Sequence, residues 1–249
     1  MELPPTEKFG RRVSAYVAGR PGYPDALFAW LRERVAPGSR GADIGAGTGL
    51  FTRGLVDTGY LVDAVEPNEP MRAAFPALRG CSVGAGTAEA TGLSVGAFAM
   101  VTAAQAAHWF DAAAASQEFA RILRPGGFVA LIWNERVQEG AGAAYQAVVD
   151  EFAGKVPGAR DGREPLPALD LYFEGGAPTP VVFDNPQSVD WDALLARAAS
   201  SSYMPHPGDD DYPSMVERLD AFFKEWSREG SVLIPQETRL FWGLPPSGV

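Results

Sequence analysis

The chain has 249 residues, 46% of them hydrophobic, enough apolar surface for a sizeable core in one α/β domain or two small ones. Its 31 acids against 21 bases give a formal charge of -10, and no run of Lys or Arg forms a phosphate-binding stripe, so nucleic acid is excluded as an expected partner. A single cysteine, Cys81, rules out an internal disulfide and any multi-cysteine metal centre, and no stretch reaches the about 20 apolar residues of a membrane span.

The start, "MELPPTEKFGRR", carries charges and prolines where a signal peptide needs an apolar run, so a soluble cytoplasmic protein is expected. Next, "YPDALFAWLRERVAPG" reads as an amphipathic helix with Leu27, Trp30, Leu31 and Val35 on one side, broken by Pro37 and Gly38. From residue 40 to about 133, short apolar runs alternate with amphipathic segments, the rhythm of a parallel sheet with crossover helices. Strands are predicted at Gly41 to Ile44, Leu61 to Glu66, Cys81 to Gly84, Ala99 to Ala103 and Phe128 to Trp133. Between them, "LFTRGLVDTG" makes a helix closed by Gly59, and "DAAAASQEFARILRPGG" one that opens on Asp111 as N-cap and stops at Pro125.

Downstream the pattern changes. A mixed segment from Gly140 to about Gly176 is read as part of a lid, followed by a β-like "PVVFDN" and a helix opening at Asp190. Beyond the polar loop "SSSYMPHPGDDDYP", Ser214 and Glu217 have capping-box spacing, and "SVLIPQETRLFWG" reads as strand and turn. Phe222, Phe223 and Trp226 are expected to pack rather than to line a pocket. No internal repeat and no clean linker is visible, so one domain is expected over residues 1–249.

The stretch "GADIGAGTG" carries Gly45, Gly47 and Gly49 at a strand-to-helix junction, where backbone N–H groups are free to meet a ligand. A dinucleotide fingerprint would need glycine at position 50, which is Leu50, and an apolar residue where Asp43 stands. About twenty residues on, at the end of the next strand, Glu66 occupies the place from which a carboxylate accepts both ribose hydroxyls. Loop and acid together predict a nucleoside-containing ligand.

These segments, "ADIGAGTGLFTRGL", "VDAVEPNEPMRAAF" and "ILRPGGFVALIW", resemble the signature segments of class I S-adenosylmethionine-dependent methyltransferases that act on small molecules. "FGRRVSAYVAGRPGYP" resembles their N-terminal cap and "AAHWFD" the segment after their fourth strand. The resemblance implies a doubly wound α/β fold, Rossmann-like, with a seven-stranded, mostly parallel sheet, a C-terminal antiparallel hairpin and a partly helical lid. It divides the domain into a cap (1–38), a cofactor-binding half (39–139) and a lid with sheet completion (140–249). It implies S-adenosylmethionine as cofactor, with Asp43, Gly45, Ala46 and Gly47 around its methionyl part and Glu66 on the ribose. Pro67 and Met71 would line the nucleoside, and Ala88 and Glu89 the adenine. Two positions depart from the pattern: Thr87, where many relatives carry an aspartate for the adenine amino group, and Ala99, where an aspartate is usual in the fourth strand.

A sulfonium brings its own leaving group, so the transfer needs no metal, and positioning with exclusion of water supplies most of the catalysis. The function implied is methyl transfer to the O or N of a small organic acceptor, in biosynthetic metabolism, with oligomeric state open. Two readings of Arg20 stay open: a partner for the methionyl carboxylate, with Tyr16 beside it, or a surface arginine. Gln105 either binds cofactor or substrate or is simply exposed in its loop. His108 is the candidate catalytic residue, taking a proton from the acceptor near neutral pH, against a structural place in the turn that follows the fourth strand. His206 reads as an exposed loop residue. The competing functions are a nicotinamide-dependent oxidoreductase, which Asp43 and Leu50 disfavour, and a protein that binds the cofactor without transferring methyl groups.

Overall fold

The computed structural model describes residues 22–153, 168–199, 201 and 204–246. They pack as two compact units where the sequence reading has one domain. Residues 22–134, 168–183 and 238–246 form one, and 135–153 and 184–237 contribute to the other. Because each unit gathers separated stretches of chain, no linker marks the division.

The first half of the chain runs α1 (Asp25–Arg34), β1 (Arg40–Ile44), α2 (Leu50–Asp57), β2 (Leu61–Val65), α3 (Glu69–Ala73), β3 (Cys81–Gly84), β4 (Phe98–Ala104), α4 (Ala112–Ile122) and β5 (Leu123–Arg136). It continues through α5 (Gly140–Ala153), β6 (Val181–Asp184), β7 (Gln187–Val189), α6 (Trp191–Ala199), α7 (Tyr212–Trp226), β8 (Val232–Ile234) and β9 (Gln236–Gly243). Seven strands form one sheet in the order β3-β2-β1-β4-β5-β9-β6, and β1 to β5 pair in parallel. This is the doubly wound fold expected from the sequence. β4 is buried along nearly its whole length because helices cover both faces of the sheet.

Leu27 and Leu31 of α1 and Phe51 and Leu55 of α2 fill one face, and Phe119 and Ile122 of α4 the other. α4 begins as predicted, with the Asp111 carboxylate accepting from the N–H groups of Ala113 and Ala114 at 3.1 Å. The strand order reverses between β1 and β4, so their carboxyl ends open a crevice there.

Two boundaries differ from the expected ones, and the C-terminal half is more divided than its sequence suggests. The segment read as lid is divided: 140–153 is α5 in the second unit, while Tyr172 and Phe173 are buried in the core of the first, because two large aromatic rings gain most by removal from water. The C-terminal third supplies β6 and β9, neighbours in the main sheet, and also β7 and β8, which pair antiparallel in a two-stranded sheet of their own. β2 ends at Val65, leaving Glu66 just beyond the strand. α7 starts two residues before Ser214, since Pro213 suits a first helical turn that has no use for its N–H, so Ser214 and Glu217 form no capping box.

The second unit has its own core, in which Tyr145, Phe152, Met215, Leu219 and Phe222 are buried and Phe223 and Trp226 pack against them. Those aromatics are packing residues, as expected. Asp190 caps α6 by accepting from the N–H of Ala193 at 2.8 Å. Among the described residues no helix is long and apolar enough to cross a membrane.

Candidate functional site

The three loop glycines do different work, although all have positive φ. At Gly45, φ +69°, an added Cβ would stand 2.5 Å from the Ala106 methyl and 3.2 Å from the Phe110 ring, so the loop after β4 closes directly on this residue. At Gly49, φ +80°, the same atom would meet the Phe75 ring at 2.8 Å. At Gly47, φ +57°, the Met71 Sδ at 3.9 Å is the only atom within 4 Å of such a Cβ among the described residues. The outer glycines let the loop pack, and the middle one leaves it open. The loop is clamped to β2 by the N–H groups of Gly45 and Ala46, both donating to the Val65 carbonyl at 2.8 and 3.1 Å.

Two buried carboxylates flank this loop. Glu66, 6% exposed, accepts from the Gly47 N–H at Oε2 and the Asn68 N–H at Oε1, both at 2.8 Å, so among the described residues each oxygen has one donor and can accept a second. Arg72 bonds the main-chain carbonyls of Glu66 and Pro67, and not the Glu66 carboxylate. Asp43, 1% exposed, accepts from the Thr52 hydroxyl at 2.5 Å and the Thr102 hydroxyl at 2.9 Å. Thr102 is its register partner on β4, which sets the two side chains side by side. Burial pushes the Asp43 carboxyl up from its ordinary 3.8 to about 6, the two threonines pull it down, and the Glu66 charge adds to the rise.

This shift makes ionised Asp43 destabilising. Between pH about 4 and 6 the native state keeps a proton that the unfolded chain has released, so stability falls as pH rises through that window. Relative to Asp43→Asn, the wild type is expected to lose about 2 kcal/mol of unfolding free energy between pH 4 and pH 7.5. Urea titrations of both proteins check this, and equal pH slopes would remove Asp43 as the source.

The other candidates distribute as follows. Ala46 and Met71 are half-buried at the loop and Pro67 is exposed beside Glu66. Ala88 puts its methyl into the core, and the Glu89 carboxylate accepts from the Asp111 N–H at 2.9 Å, fixing the turn before α4. Thr87 is exposed, its N–H and carbonyl bonded to Ala90. Gln105 directly follows β4 with φ +56°, a conformation that costs a side-chain-bearing residue about 1 to 2 kcal/mol and is retained only under constraint. Its Nε2 donates to the Asn134 carbonyl at 3.1 Å. His108 lies in a 3-10 turn (Ala107–Trp109) that follows, half-buried, its ring 5.1 Å from that of Trp109, which is 65% exposed. The N–H of His206, in the second unit, donates to Asp209. Tyr16 and Arg20 lie outside the described residues.

Sequence reasoning missed Thr52 and Thr102. Their only signal was a buried acid with no partner nearby in sequence, since such an acid requires hydrogen bonds from somewhere. Phe110 was also missed as the ring that closes on Gly45.

The site's own geometry fits a nucleoside cofactor. An open glycine at the strand reversal lets a ligand approach the backbone, and Glu66 keeps acceptor capacity beside it. The fold is that of the class I methyltransferases, and the cofactor that goes with that fold is S-adenosylmethionine. Residues 42–131 match the family described as the methyltransferase domain, and the chain carries such a domain.

Over 132 residues it is 45% identical to an uncharacterized methyltransferase of Mycobacterium tuberculosis, covering 51% of this chain and 52% of that one. A methyltransferase-like protein of Schizosaccharomyces pombe is 33% identical over 135 residues, 51% of this chain and 52% of its own. The chain thus spans about half the length of the curated relatives it matches. In structure it resembles a type II methyltransferase of Anaeromyxobacter dehalogenans with TM-score 0.73 at 23% identity, over 91% of this chain and 98% of that one. A methyltransferase from an antibiotic biosynthesis pathway of Anabaena variabilis follows at TM-score 0.61 and 21% identity, over 90% and 98%. At such identities these two likenesses speak for the fold alone.

Proposed function

We propose that the protein transfers the methyl group of S-adenosylmethionine to the oxygen or nitrogen of a small organic acceptor in biosynthetic metabolism. The observation that carries this reading is the pairing, beside the crevice, of Gly47, open among the described residues, with the buried Glu66 carboxylate that accepts from its N–H. When bound, the cofactor supplies an activated methyl group that passes to an acceptor lone pair and leaves a neutral thioether.

The residues of this chain do the rest. Glu66 accepts the ribose hydroxyls with the lone pairs that Gly47 and Asn68 leave free, and Met71 borders the nucleoside. Gly45 and Ala46 hold the loop against β2, so the cradle is rigid before the ligand arrives. His108, at the carboxyl end of β4, takes up the proton that the acceptor loses. Gln105, held on a constrained backbone at the same strand end, orients cofactor or acceptor.

Calorimetric titration with S-adenosylhomocysteine and with NADH, then incubation with methyl-labelled cofactor and a panel of hydroxyl and amine acceptors, tests the reading. Binding of the first ligand only, with label passing to an acceptor and turnover falling more than cofactor affinity in His108→Ala, is the expected result. Binding of NADH alone would make the protein an oxidoreductase, and cofactor binding with no transfer to any acceptor would make it a binding protein.

A further inference from the structure

Asn134, near the carboxyl end of β5, joins three stretches of chain that are far apart in sequence. Its main-chain carbonyl accepts from the Gln105 Nε2 at 3.1 Å, just past β4. Its side-chain amide donates from Nδ2 to the Gly22 carbonyl at 3.1 Å, in the lead-in to α1, and accepts at Oδ1 from the Thr238 hydroxyl of β9 at 2.6 Å. A carbonyl only accepts, so the amide nitrogen must face Gly22, and the Thr238 hydroxyl is then left to donate. Thr238 is fully buried, where a hydroxyl without a partner is costly, so the clamp is held from both sides. These contacts lie at the carboxyl ends of β4 and β5, the side on which the crevice opens.

Gln105 depends on that strand end. Its left-handed backbone, φ +56°, is tied to β5 by two bonds: its N–H donates to the Ile132 carbonyl at 2.8 Å and its Nε2 to the Asn134 carbonyl. The next residue, Ala106, meets Gly45 of the glycine loop, so Gln105 stands beside the cradle. With its amide nitrogen bound to β5, and with no donor from the described residues on its Oε1, Gln105 has an acceptor to offer a ligand. We infer that Asn134 is a positioning residue: clamped between Gly22 and Thr238, it fixes the end of β5 so that Gln105 keeps its constrained conformation and presents Oε1 to the bound cofactor. Its part is indirect, exerted through Gln105. The inference rests on the cofactor reading above and adds to it a residue that acts at one remove.

The test is calorimetric titration of the full chain with S-adenosylhomocysteine in the wild type, Asn134→Ala, Gln105→Ala and the double variant. Asn134→Ala keeps the main-chain carbonyl that Gln105 bonds and removes only the clamp. Each single variant is expected to bind about tenfold more weakly, the loss of one hydrogen bond, and the double variant no more weakly than either, because both changes remove the same contact. Thr238→Val loses the hydroxyl at nearly the same shape; it should weaken binding about threefold, add nothing to Gln105→Ala, and be rescued by Thr238→Ser. An Asn134 variant that fails to fold therefore leaves the test intact. Losses in Asn134→Ala and Gln105→Ala that multiply to about a hundredfold, or wild-type affinity in Asn134→Ala, Thr238→Val or Gln105→Ala, overturn the inference while the cofactor reading stands. If the wild type does not bind, both fall.

Discussion

Replacing Glu66 by alanine is expected to weaken S-adenosylhomocysteine binding by at least about 100-fold while the far-UV circular dichroism of the protein stays unchanged. The size follows from two ribose hydroxyls that each lose a bond to a charged acceptor, about 1.5 to 3 kcal/mol apiece. The Gly47 and Asn68 N–H groups lose their acceptor as well, so the loop loosens where it meets the ligand. Against this, one of two neighbouring buried charges disappears, which relieves Asp43 and protects the fold. Glu66→Gln is the informative companion: its shape is retained, but an amide nitrogen would face a backbone donor at one of the two positions. A dissociation constant within threefold of the wild type in the alanine variant would end the assignment of Glu66 to the ribose.

The second large effect concerns the loop itself. Gly45→Ala adds a Cβ at 2.5 Å from the Ala106 methyl on a backbone at φ +69°, and neither fault has a flexible neighbour to absorb it. Left-handed strain of about 1 to 2 kcal/mol and overpacking of about 1 to 3 kcal/mol together remove a large share of a marginal stability. For a chain of this size the melting temperature should fall by about 5 to 15 °C, by calorimetric or fluorescence melting. Gly47→Ala carries the backbone strain alone, because among the described residues its Cβ meets nothing closer than the Met71 Sδ at 3.9 Å. It should melt only a few degrees lower, at about 2 to 4 °C per kcal/mol, and yet bind the cofactor poorly, since the new methyl stands where the ligand approaches. Equal melting temperatures for the two variants would contradict the packing described here.

The sheet was legible because its strands are short apolar runs punctuated by turns, and that pattern is local. β1, β3 and β4 fall within a residue of their predicted limits, and Glu66 stands one residue past the end of β2. What could not be read depends on pairs far apart in the chain. Thr52 and Thr102 lie 9 and 59 positions from Asp43, and only the folded register brings a hydroxyl from β4 beside an acid on β1. Tyr172 and Phe173 are buried for the same reason. Nothing in "LDLYF" distinguishes aromatics that cover a pocket from aromatics that fill a core. Gln105 was singled out by its place, but its left-handed backbone has no signature in sequence, because residues other than glycine adopt that conformation only when their surroundings force it. The middle glycine could be told from its neighbours only when Ala106, Phe75 and Met71 were in position.

The placement of β9 beside β5 bears on how the molecule comes to be made. Residues 137–235 separate the end of β5 from the strand that covers its free flank, so a nascent chain on the ribosome carries an open β-sheet margin until residues 236–243 emerge. A gene fragment that stops before residue 236 would leave that margin bare for good and invite strand-to-strand clumping.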